Sequence, residues 1–265
     1  MRRISVNFRE IFSLPISPPT ILRRIADAVR IVDEAVTFFL KARNSKHTYG
    51  KKRRFCLRLQ LGKIWEIDEI FIRLEDEKYP LIVVRDLKTG FIIVALLSET
   101  ASYEAIKQAL SLTKAFVRKY PAEIRGDGNP AYPRAVRVVF RGKTKFTLHK
   151  KVGRKGMNQS IEGTFSGLRS RLKTMRGLHS RELSPIIIKG LILDYNFVRV
   201  SDVLGGKTPA EMALHWKPID CKVGGWRFLL GLAKYYKRTV LGCKKQKHGS
   251  NNGNQSSLDP FLIDV

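Results

Sequence analysis

The chain has 265 residues, with 50 Lys and Arg against 23 Asp and Glu, and carries a formal net charge of +27. Its 43% apolar content is too high for a disordered basic tail, and a charge this far from zero opposes compaction unless a polyanion offsets it, so nucleic acid is the first partner to consider and an acidic membrane surface the second. The longest unbroken apolar run, Phe91 to Leu97, is seven residues, far below the roughly 20 that a membrane span needs, and the scattered Cys56, Cys221 and Cys243 suggest neither a disulfide framework nor a zinc knuckle.

The charge is patterned along the chain. Residues 1–63 carry a net +11, 64–120 a net −1, 121–182 a net +11, 183–216 balance, and 217–265 carry +6. A uniform solubility charge would be spread evenly. Two basic blocks around a carboxylate-rich one read as a nucleic-acid surface with something different at its centre.

In chain order, a short apolar piece (Val6, Phe8, Ile11, Phe12, Leu14) precedes Ser17-Pro18-Pro19-Thr20, a helix-start signal. A helix follows with Ile21, Ile25, Val29, Val32, Val36 and Phe39 at steps of three and four, and Arg23, Arg24 and Arg30 off that stripe. Together these suggest a helix-turn-helix-like region over 1–60. Residues 42–56, with Lys51, Lys52, Arg53 and Arg54, read as a basic linker.

Three short strands come next: Trp65–Ile72, Tyr79–Val84 and Phe91–Leu97, joined by tight connections that imply an antiparallel meander. A helix is expected over Tyr103–Tyr120, ended by Pro121. Then follow a short strand at Ala122–Arg125, a helix at Ala131–Phe140 and a strand at Lys145–Leu148. Asn158–Leu178 has the clearest helical period, through Ile161, Phe165, Leu168, Leu172 and Met175. Another helix spans about Glu182–Val198. This order predicts an α/β domain over 61–216 with a mixed sheet flanked by helices, antiparallel first and parallel later. In the basic tail of 217–265, Trp226–Val240 reads as an amphipathic helix and Lys244–Ser257 as low-complexity, disordered sequence.

Three acids sit at odds with their surroundings. Asp68 lies inside an apolar strand, where Asp is disfavoured. Asp127 stands between Gly126 and Gly128 at the carboxyl end of a strand, where α/β sheets place ligand sites. Glu162 borders the apolar face of a basic helix. Each alone has an ordinary explanation: an outward strand position (Glu66 has the same parity as Asp68), an Asp-Gly turn, a helix-dipole contact. Converging carboxylates are also what a pair of divalent ions needs for phosphodiester chemistry.

Asp68 and Asp127 are 59 positions apart, and 34 residues separate Asp127 from Glu162. With Trp65-Glu66-Ile67-Asp68-Glu69, the strand Tyr79–Asp86, Gly126-Asp127-Gly128-Asn129-Pro130-Ala131-Tyr132-Pro133, Asn158-Gln159-Ser160-Ile161-Glu162 and Lys207-Thr208-Pro209-Ala210-Glu211, the chain resembles the DDE transposase and retroviral-integrase superfamily. It is most similar to insertion-sequence transposases of the group numbered six. The resemblance implies a ribonuclease-H-like fold and a transposase that cleaves 3′ ends and transfers them to target DNA. It further implies two Mg2+ or Mn2+ ions on Asp68, Asp127 and Glu162. Arg169, Lys173 and Arg176 would contact phosphates, beside Arg23, Arg24 and Lys51–Arg54 nearer the N-terminus, with Asn129 and Tyr132 lining the cleft. The implied partners are the terminal inverted repeats and target DNA, in a homo-oligomer that is cytoplasmic and nucleoid-associated, without membrane contact. A degenerate or domesticated DNA-binding protein that keeps the fold without the reaction is the alternative, and a nuclease acting on RNA–DNA hybrids a third reading.

Two other signals fail. Gly206-Lys207-Thr208 looks like the end of a P-loop, but position 201 is Ser where the motif needs Gly. The five histidines are scattered without metal-ligand spacing.

Overall fold

The computed structural model describes residues 18–41, 58–75, 77–148, 167–168, 170–171, 178, 180–215 and 225–241. The N-terminal apolar piece, the basic linker, most of Asn158–Leu178 and the low-complexity tail lie outside the described residues.

A short strand β1 (Arg58–Leu59) pairs antiparallel with β7 (Leu214–His215), and the other five strands form one sheet: β2 (Ile64–Leu74), β3 (Glu77–Asp86), β4 (Ile92–Leu97), β5 (Glu123–Gly126) and β6 (Lys145–Leu148), in the spatial order β4-β3-β2-β5-β6. The pairs β2–β3 and β3–β4 are antiparallel, and β2–β5 and β5–β6 are parallel. The meander arises from tight turns. At its second turn the buried Asp86 carboxylate accepts from the N–H of Gly62 (2.8 Å), the N–H of Thr89 (2.9 Å) and the Thr89 hydroxyl (2.7 Å). Parallel pairing needs crossovers, and the helices α2 (Tyr103–Val117) and α3 (Ala131–Val139) supply them.

The long strand β2 changes its buried face midway. Trp65 and Ile67 enter one core, with Ile82 and Val84 of β3, Ile106 and Leu110 of α2, and Tyr132 and Val136 of α3. Ile70, Ile72 and Leu74 enter a second core on the other face, with Leu81 and Val83 of β3 and Ile188 and Ile192 of α4 (Ser184–Phe197). Each fully buried aliphatic side chain contributes roughly 1.5–3 kcal/mol. β4 is buried along its whole length, which accounts for the unbroken run that it forms in sequence. Its edge is covered at one point: the buried Asn196 of α4 donates to the Ile92 carbonyl and accepts from the Ile92 N–H, both at 2.9 Å.

Several expected boundaries move. The helix expected to Tyr120 ends at Val117, because Arg118 takes a left-handed conformation (φ 53°) and returns its N–H to the Lys114 carbonyl. Its start is capped by Ser102. Leu178, expected as the last residue of a helix, instead forms a parallel bridge to Leu74 at the end of β2. Glu66, a possible outward residue by parity, is instead buried and ion-paired with Arg85, its cross-strand partner.

The N-terminal helix α1 (Pro18–Lys41) is present as a single element whose stripe packs on α4 and on α6 (Gly225–Tyr236). Phe38 meets Tyr236 at 5.4 Å between centroids and Phe39 meets Tyr235 at 5.9 Å. Lys189 of α4 donates to Asp33 of α1 at 2.8 Å. Ile25 alone of the predicted stripe is exposed. The tail helix expected at Trp226–Val240 corresponds to α6 and a π-helical turn at Lys237–Leu241. The failed P-loop signal has a local role: Thr208 and Glu211 form a reciprocal capping box at α5 (Pro209–Ala213). No helix among the described residues is long and apolar enough to cross a membrane.

Candidate active site

The change of face in β2 falls on Asp68 and Glu69. Asp68 follows Glu66 on the side of the second core, and Glu69 follows Ile67 on the side of the first. The parallel register pairs Glu66 with Arg125, so Asp127 lies level with Asp68 just beyond the end of β5 at Gly126. Because β5 stops there while β2 runs on to Leu74, no strand among the described residues pairs with that flank of β2 between the end of β5 and the Leu74–Leu178 bridge. Side chains from both of its faces can meet the Asp127 loop. One carboxylate oxygen from each of Asp68, Glu69 and Asp127 lies within 4.8 Å of the others. Asp68 and Glu69 are half-buried and Asp127 is exposed.

The loop holds its shape through Asn129. The Asn129 N–H donates to Asp127 Oδ1 (3.1 Å), its side-chain Nδ2 donates to Glu69 Oε1 (3.0 Å), and its Oδ1 accepts from the Ala131 N–H (3.0 Å) at the start of α3. Asp68 Oδ1 accepts from the Glu69 N–H at 2.8 Å. Burial pushes the Glu69 carboxyl above the usual range and the neighbouring Asp127 charge adds to this, opposed by the Tyr132 hydroxyl and the Asn129 amide. Burial likewise raises the Tyr132 phenol, together with the Glu69 charge.

The structure thus brings together the predicted Asp68 and Asp127, with Asn129 and Tyr132 beside them, and adds Glu69. Sequence reasoning passed over Glu69 because it sits on the opposite parity from Asp68. The available signal was the jump of the apolar positions from Ile67 to Ile70, which marks a change of buried face at two consecutive acids. Glu162, Arg169, Lys173, Arg176 and Lys51–Arg54 lie outside the described residues. Arg23 and Arg24 are exposed on α1. Within the expected Asn158–Leu178 helix, residues 167–168 and 170–171 are described and helical; Leu168 enters the second core and Arg171 pairs with Asp194 of α4.

A family model described as a DDE domain, of the insertion-sequence 240 transposase type, matches residues 62–199. The chain belongs to this transposase family. Residues 62–199 contain the whole five-stranded sheet, all three clustered carboxylates and Glu162. The mixed five-stranded sheet flanked by helices agrees with the α/β architecture expected from sequence. No curated protein matches the chain significantly. Solved structures similar to this chain include the HTLV-2 integrase catalytic core domain in complex with magnesium, in its dimeric form. That core is 20% identical with a TM-score of 0.41, over 58% of this chain and 97% of that one. The simian T-cell lymphotropic virus intasome chain is 18% identical with a TM-score of 0.46, over 69% and 67%. The BIV integrase catalytic core is 14% identical with a TM-score of 0.43, over 57% and 93%.

The clustered carboxylates suit a hard divalent cation. All three offer oxygen ligands, which Mg2+ and Mn2+ prefer, and they come from two neighbouring strand positions and a loop locked by hydrogen bonds.

Proposed function

We propose that this protein is a DNA transposase that cleaves the 3′ ends of an insertion sequence and transfers them to target DNA. The observation that carries this reading is the approach of Asp68 and Asp127 across the end of β5, in a DDE-family chain with a net charge of +27. Asp68 and Asp127 would hold Mg2+ or Mn2+, with Glu162 as the third carboxylate and two ions in all. When bound, such ions supply activation of the attacking oxygen and stabilisation of the leaving one.

The chain's own residues hold the geometry. Asp68 is fixed in the sheet interior, where the β2 backbone sets its position. Asp127 is exposed, on the side from which a phosphodiester would arrive. Arg23, Arg24, Lys51, Lys52, Arg53, Arg54, Arg169, Lys173 and Arg176 would hold phosphates, which position DNA without reading its sequence. The partners are the element's terminal inverted repeats and target DNA. Two ends must be joined together, so the working form is a homo-oligomer, acting on DNA in the cytoplasm at the nucleoid.

The test is strand transfer of oligonucleotides carrying the repeats that flank the coding region into plasmid DNA, with Mg2+ or Mn2+. Asp68→Asn, Asp127→Asn and Glu162→Gln should each lower product by about 10³-fold or more, equivalent to about 4 kcal/mol at the barrier, while DNA binding persists. Full activity in the Asp127→Asn protein would overturn the assignment. DNA binding by the parent chain without metal-dependent product would favour the non-catalytic alternative.

A further inference from the structure

Glu69 has no part in the chemistry above, yet it is built into the same cluster. Its Oε1 accepts from Asn129 Nδ2 at 3.0 Å, and the backbone N–H of Asn129 donates to Asp127 Oδ1 at 3.1 Å. One residue therefore links Glu69 to Asp127, and its Oδ1 anchors both to the start of α3 through Ala131. The loop needs such a tie. Among the described residues, a Cβ at Gly128 would meet nothing within 4 Å, so none of them packs against that side of Asp127.

A second observation points to a ligand at this place. Tyr132 is 0% exposed, and its hydroxyl makes no hydrogen bond of regular geometry among the described residues. It lies close enough to interact electrostatically with Glu69, Asp127 and Asp68. Buried hydroxyls ordinarily spend their hydrogen-bonding capacity within the fold. This one is directed at the carboxylates.

We propose that Glu69 is a positioning residue that, through Asn129, holds the Asp127 carboxylate at the separation from Asp68 that a divalent cation requires. The proposal rests on the reading of Asp68 and Asp127 as the cation-holding pair. Glu69 acts through its oxygen as an acceptor rather than through its charge, which separates it from a direct ligand.

Mn2+ binding to the full-length protein, followed by titration calorimetry, tests this. Glu69→Ala and Asn129→Ala should each weaken Mn2+ affinity about 10–100-fold, the range for residues that orient metal ligands. Their double variant should be no weaker than either alone, because both cut the same link. Glu69→Gln keeps a carbonyl acceptor for Asn129 and should stay within about threefold of the parent, about 0.65 kcal/mol. The proposal is overturned if Glu69→Gln is as weak as Glu69→Ala, if Glu69→Ala binds like the parent, or if the two alanine effects add. Should Glu69→Ala not fold, Asn129→Ala and Glu69→Gln read the same link. Parent-like Mn2+ affinity in Asp127→Asn would defeat the underlying cation site itself, whatever Glu69 does.

Discussion

Gly126 shows how closely the site depends on single atoms. A Cβ there would lie 2.8 Å from Tyr132 Cδ2 and 3.2 Å from Ile67 Cγ2. Both neighbours are fully buried, so neither can give way freely. Gly126→Ala should cost about 1–3 kcal/mol of stability, as overpacking does, and its loss of strand transfer should exceed the unfolded fraction, because the displaced ring abuts the Asp127 loop. Denaturant melts beside the transfer assay measure both, and parent-like values in both would refute the packing argument. Legibility at this scale follows from how each residue is placed. Asp68 and Asp127 could be read from sequence because an Asp in an apolar strand and an Asp at a strand end are each out of place locally. Glu69 could not be read so directly, since its neighbours in space (Asn129, 60 positions away, and Tyr132) come from another element. Glu66 was open to misreading for the same reason: what buries it is Arg85, and only the β2–β3 register reveals that pairing.

The same register makes the Glu66–Arg85 pair a property of two strands rather than of two residues. Arg85 donates to Glu66 Oε2 from Nε at 2.8 Å, and the two side chains are each only 3% exposed. A buried pair gains little over an apolar one, but a lone buried charge is costly. Arg85→Met alone should therefore destabilise the fold by about 3–5 kcal/mol, whereas Glu66→Leu with Arg85→Met should recover most of that loss. Chemical denaturation of the three proteins decides it; a double variant as unstable as the single one would show that the pair stabilises for another reason. The elements themselves were largely legible, because α2 carries an apolar period and β2, β3 and β4 carry short apolar segments bounded by turn residues. Their ends were less so. Pro121 was the visible stop for α2, yet the helix is closed earlier by Arg118 in a conformation that its residue type does not advertise. The bridge from Leu178 to Leu74 is likewise a tertiary contact that overrides a helical pattern.

On the scale of the whole molecule, α1 and α6 come from opposite ends of the described chain and share a core with the sheet through α4. Among the described residues, the basic side chains of these elements therefore sit on one connected body. If that charge engages phosphates as proposed, affinity for non-specific duplex should fall by about 10³-fold or more between 50 and 200 mM monovalent salt. Fluorescence anisotropy titrations would measure this, and a fall of less than tenfold would show that few phosphates are contacted. The layout of the sheet has a further consequence for how a newly made copy behaves. β2, β3 and β4 pair through turns of a few residues, and such local contacts close early. β2 and β5 pair across a long connection, Ile64 with Glu123, whose closure is slower. Asp68 and Asp127 come level only when that second pairing is complete. If the protein acts as proposed, a copy still emerging from the ribosome, or one opened by heat along that seam, would carry much of the charge that attracts DNA without the paired carboxylates that would break it, and would be harmless to its host's genome until its own folding is finished.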